Sequence, residues 1–187
     1  INNLQTSHAI NIKRQAPMQK HATHGVTTSL YISSSMFRHL DPCKLSSKTE
    51  YASVLYYPGA DAGAMLHRLQ GDQSFHNINP QHVKRVYLMT GTNNVDRIMR
   101  GAQPAAAACR EIEALSMFLH SWYPAAVINM INILPRTTAN RNFVINELNQ
   151  YIRDLSNRNH FINFINSEYN RNLFSTHDGF RKNNYFK

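Results

Sequence analysis

Short apolar runs that stop at glycine, proline or serine alternate along this chain with longer stretches in which apolar residues return every third or fourth position. Five of the short runs read as strands: 27–32 (T-T-S-L-Y-I), 50–57 (E-Y-A-S-V-L-Y-Y), 86–89 (V-Y-L-M), 127–134 (V-I-N-M-I-N-I-L) and 161–165 (F-I-N-F-I). Their near-continuous apolar character is that of parallel strands covered on both faces, rather than of strands with one face in water. Helical spacing begins at 36–40 and at 64–69, and is clearest at 105–122, where Ile112, Leu115, Phe118, Leu119 and Trp122 form one stripe. It returns at 142–157 through Val144, Ile145, Leu148, Tyr151, Ile152 and Leu155. Pro124 and Pro135 end the elements before them, and 71–82 and 99–104 read as loops.

Strands separated by helices, joined by right-handed crossovers, pack as a three-layer α/β/α sandwich around a five-stranded parallel sheet. Open sheets of this kind form their sites at the carboxyl ends of the strands. Three such ends carry small polar residues: Ser33-Ser34-Ser35, Pro58-Gly59-Ala60-Asp61, and Thr90-Gly91-Thr92-Asn93-Asn94. Residues 1–28 keep neither period for long and read as an extended basic arm ahead of one α/β domain, 29–187. A length of 187 residues suits one core and is short for two.

Lys and Arg number 20 against 11 Asp plus Glu, a formal charge of +9, which makes anionic surfaces or nucleic acid conceivable partners. The charges are scattered, and no basic helix or aromatic-studded basic motif singles out a nucleic-acid module. No run approaches the length of a membrane span, and the first residues lack the apolar middle of a secretion signal, so a soluble intracellular chain is expected. Cys43 and Cys109 are too few for a disulfide framework and lack metal-ligand spacing. If exposed, they suit links between subunits. His8, His21 and His24 lie in a polar stretch without a carboxylate or Cys beside them, so no metal and no cofactor is expected.

The serine, glycine and asparagine blocks, each at a strand-to-helix junction and in this order, resemble those of the SGNH (GDSL-type) hydrolases. The resemblance covers about residues 28–187 and implies a sheet order of 2-1-3-4-5. It also implies that Ser35 is the nucleophile, and that the Ser35 N–H, the Gly59 N–H and the Asn93 side-chain amide form the oxyanion hole. Where the family reads Gly-Asp-Ser, this chain reads Ser33-Ser34-Ser35, without the glycine's conformational freedom or the aspartate's hydrogen bonds.

The family's D-x-x-H block, whose histidine takes the serine proton and whose aspartate holds that histidine, has no counterpart here. In one register Asp178-Gly179-Phe180-Arg181 puts Arg181 in the histidine's place, and a guanidinium cannot accept that proton. In another, 172–187 precedes such a block; His177, beside Asp178, would serve only from a rearranged loop. Three functions remain in view. The leading expectation is a non-catalytic protein that assembles with copies of itself through its terminal arms, of the kind seen in viral matrix or occlusion-body (polyhedrin-like) proteins of arthropod DNA viruses. The alternatives are a serine esterase or deacetylase whose D-x-x-H block lies outside this chain, and a basic nucleic-acid-binding module.

Overall fold

A computed structural model describes residues 26–167. Within them the elements run β1 (Thr27–Ser33), a 3-10 turn (Met36–His39), α1 (Pro42–Leu45), β2 (Glu50–Tyr56), α2 (Ala62–Gly71), α3 (Gln73–His76) and β3 (Val83–Met89). They continue as α4 (Thr92–Met99), α5 (Ala105–Trp122), β4 (Val127–Ile131), α6 (Ala139–Arg158) and β5 (Ile162–Ile165). The strands pair in parallel in the order β2-β1-β3-β4-β5, the expected α/β arrangement.

Alternation along each strand divides the apolar side chains between two clusters. Leu30, Ile32, Val86, Leu88, Ile128 and Met130 join the larger one, where Met65 and Leu69 of α2, Ile112, Leu115 and Leu119 of α5, and Leu148 and Ile152 of α6 close over them. Tyr31, Tyr87, Met89 and Val54 belong to the smaller, with Phe37, Leu40 and Leu134. Tyr31 and Tyr87 are register partners on β1 and β3 and stack with centroids 4.7 Å apart. Truncating a fully buried aliphatic such as Leu30 or Leu148 in the larger cluster would cost about 2–5 kcal/mol.

Several boundaries differ from those the pattern predicts. β1 begins at Thr27, where the strand was expected, and runs one residue further, to Ser33, so Thr27 and Thr28 pair with Glu50 and Tyr51 rather than belonging to the arm; residues 1–25 of the expected arm lie outside the described residues. β4 stops at Ile131 rather than running to 134: Asn132 N still donates to Ile165 O of β5 at 3.0 Å, but from Ile133 on the backbone groups named next bond to side chains instead of a neighbouring strand. Ile133 N and O are held by Asn149 at 2.7 and 2.9 Å, and Arg136 N and O by Asn142, both at 2.7 Å. Of the polar residues after β3, Thr92, Asn93 and Asn94 already form the first turn of helix α4, in which Val95 is buried and Ile98 packs against the core. A further short helix, α3, interrupts the loop expected over 71–82, pinned by fully buried Phe75 and capped by Asp72. Among the described residues no helix is long and apolar enough to cross a membrane.

Candidate active site

The order β2-β1-β3 sets the loop after β1 between the loops after β2 and β3. The loop that carries Ser35 therefore runs between the loops that lead to Gly59 and Asn93. Ser35 is the N-cap residue of the 3-10 turn, half-buried, and its hydroxyl makes no capping bond. That work falls to Ser33, whose buried Oγ accepts the Phe37 N–H at 2.9 Å. Ser33 thus uses its side chain to hold the turn at the position the family gives to glycine. Among the described residues no hydrogen bond reaches the Ser35 hydroxyl.

Gly59 follows β2 with φ +72, the left-handed conformation that favours glycine, and lies exposed with open space around its Cα. Its loop is fixed on both sides. Tyr57 N donates to Ser33 O at 2.9 Å, tying the second loop to the first, and Ala60 N donates to Tyr57 O at 3.1 Å. The Tyr57 hydroxyl donates to Asp72 Oδ2 at 2.7 Å; burial first, and that bond second, push the Tyr57 phenol well above its usual range.

Asn93 sits in the first turn of α4, and its Nδ2 donates to Ala60 O at 2.7 Å. An asparagine amide has two N–H groups, so one remains for a ligand. The backbone enters α4 through Gly91 at φ +101, with no room for a side chain: a Cβ there would run into Ile133, whose Cγ1 would be 3.0 Å away.

Two further contacts join the same loops. Ala62 N donates to Oδ1 of buried Asn94 at 3.0 Å, while Asn94 Nδ2 donates to Glu111 Oε2 at 2.8 Å and to Gln103 Oε1 at 3.2 Å. Asp61 caps α2 by accepting the Ala64 N–H at 2.7 Å, and it also forms an ion pair with Arg97 of α4. Sequence reasoning missed Asn94, Arg97 and Glu111. Asp61, just ahead of a helical stretch, carried a readable N-cap signal; a buried asparagine paired to a glutamate seventeen positions on left none.

The other singled-out residues lie apart from this site or outside what is described. Cys43 is exposed on α1 and Cys109 half-buried on α5, both free thiols, with burial pushing the Cys109 thiol up. His8, His21, His24, His177, Asp178 and Arg181 lie outside the described residues.

No protein-family model and no curated protein sequence matches the chain. Solved structures do. The fold is similar to a member of the lipolytic protein G-D-S-L family from Veillonella parvula, with a TM-score of 0.60 and 12% identity over 75% of this chain and 78% of that one. It is similar to an extracellular lipase from Streptomyces rimosus at a TM-score of 0.53 and 13% identity, covering 75% of this chain and 80% of that one. An acetyl xylan esterase aligns at a TM-score of 0.58 and 13% identity over 74% of this chain and 76% of that one. The chain thus has the α/β fold of the GDSL (SGNH-type) hydrolases. The likeness is one of fold, and none of these three neighbours is a viral or occlusion-body protein, so the viral context expected from the sequence finds no support among them.

Proposed function

We propose that the chain is a serine hydrolase of carboxylic esters, with Ser35 as nucleophile and with the Ser35 N–H, the Gly59 N–H and the free N–H of Asn93 Nδ2 as oxyanion donors. The observation that supports it is the flanking of the serine loop by the glycine loop on β2 and the asparagine helix on β3, with Asn93 already tied to the glycine loop through Ala60 O. Ser35 Oγ adds to the ester carbonyl, and the charge on the carbonyl oxygen falls to the three donors. The C–O bond to the alcohol then breaks, the alcohol leaving with the proton that the base took from Ser35, and water, deprotonated by the same base, adds to the acyl-serine and releases the acid as Ser35 Oγ regains its proton. Removing one donor of such a hole costs roughly 10²–10³ in rate, which makes Asn93 a measurable participant.

The Ser35 proton needs an acceptor, which no hydrogen bond among the described residues supplies, and H177A asks whether His177, beside Asp178 in the sequence, is that base. Fluorophosphonate labelling of the purified full chain, with the modified residue located by mass spectrometry, tests the reading. Stoichiometric label on Ser35, lost in S35A, is expected, and strong slowing in H177A would assign the base to His177. Labelling lost in S35A but unchanged in H177A would keep the nucleophile and move the base elsewhere.

The serines at 33 and 34 favour a second reading. With Ser33 Oγ committed to the turn, the loop is held without the glycine and aspartate of the resembled family, and a hydrolase scaffold that now serves by self-association would look the same. An intact chain that takes no label and elutes as an oligomer would establish it.

A further inference from the structure

The Asn93 amide can serve as an oxyanion donor only if it is held at a fixed distance from the Gly59 loop, and the residue beside it is built to do that. Asn94 is fully buried and uses both ends of its side chain. Its Oδ1 takes the Ala62 N–H at 3.0 Å, so it grips the same loop whose Ala60 O accepts from Asn93. Its Nδ2 is divided between Glu111 Oε2 at 2.8 Å and Gln103 Oε1 at 3.2 Å, which anchors the first turn of α4 to α5 and to the segment before it. The polarity of this arrangement is fixed. Two acceptors face the amide nitrogen and one donor faces the oxygen, so a residue with acceptors at both ends would meet Glu111 with like charge.

We propose that Asn94 is a positioning residue for the oxyanion hole, acting through Glu111 to set the Asn93 amide against the Ala60–Ala62 loop. This rests on the hydrolase reading above. Asn94 itself touches no substrate. A displacement of the neighbouring donor by a fraction of an ångström to an ångström is enough to cost up to about a hundredfold in rate.

The test reverses the polarity and then restores it. N94D should lower kcat for a p-nitrophenyl ester about ten- to a hundredfold, with KM within about threefold, because the contact matters in the transition state and not in substrate binding. N94D combined with E111Q, which supplies an amide donor to the new carboxylate, should recover most of the loss, and E111Q alone should stay near the parent because its carbonyl still accepts from Asn94. The Asn93 side-chain NH₂ resonances and the hydrogen exchange of the Ala62 amide report the alignment without turnover; both should change in N94D and return in the double variant. If N94D does not fold, E111A carries the same test from the other side of the bond. A parent chain that hydrolyses esters while N94D keeps kcat within twofold would overturn the proposal and leave the hydrolase reading standing. A parent chain that neither hydrolyses nor labels, but whose resonances shift and recover as described, would overturn the hydrolase reading and leave the linkage intact. Unmoved resonances would overturn the linkage itself.

Discussion

Asn149 of α6 grips both backbone groups of Ile133: its Nδ2 donates to Ile133 O at 2.9 Å and its Oδ1 accepts Ile133 N–H at 2.7 Å. A side-chain amide here replaces the strand neighbour that β4 has lost. Ile133 in turn packs where a side chain on Gly91 would project, so one asparagine on a distant helix fixes the wall against which the Asn93 helix begins. N149A should cost about 2–3 kcal/mol in urea denaturation, since it strands a buried donor and acceptor together. N149D, which keeps the acceptor alone, should fall between the two.

G91A combines left-handed backbone with a direct collision, and an unfolding penalty of about 2–4 kcal/mol is expected. Paired with I133A, it should show a penalty smaller than the sum of the two single variants by about 1 kcal/mol or more, because the collision vanishes while the backbone strain stays. Strict additivity in the same denaturation series would show that the two residues do not meet.

Tyr57 and Tyr123 are buried phenols, both pushed above the usual value of 10.0 chiefly by burial. The folded chain keeps these protons at a pH where the unfolded chain gives them up, so the stabilisation is complete below about pH 10 and declines as pH rises beyond it. Thermal melts should fall away above that pH. The fall should be shallower in Y57F and Y123F, although Y57F starts lower because it takes from Asp72 a buried donor worth about 1–2 kcal/mol.

Asp61 serves two partners, the Ala64 N–H and Arg97. D61A should cost about 1–2 kcal/mol, mostly through the lost helix cap. R97A should change thermal stability less, since its guanidinium is partly in water, and the difference between R97A and the parent should shrink as salt is added.

Element types were largely legible because parallel strands buried on both faces must be apolar throughout. Leu30-Tyr31-Ile32 and Val86-Tyr87-Leu88-Met89 therefore stand out from polar surroundings. The start of helix α4 was less legible: Val95, Ile98 and Met99 keep helical spacing, but the first turn, T-N-N, is polar throughout and is held by Gly91 turning the chain and by the Asn94 side chain bonding inward. The end of β4 was hidden for a related reason. Ile133 and Leu134 are as apolar as a strand requires, but their segment's backbone partners are the side chains of Asn142 and Asn149 on the next helix. Ser35, Gly59 and Asn93 could be picked out by their place after strands, whereas Asn94, Arg97 and Glu111 act through contacts that only the folded chain brings about.

The hydrogen bonds from Tyr57 N to Ser33 O and from Asn93 to Ala60 O carry a mechanical consequence. Each of the three loops is latched to a neighbour, so none can swing aside alone, and fraying any one must strain the next. Loops held in this way stand assembled before any ligand arrives, so the ester capture proposed above would spend little free energy on ordering them.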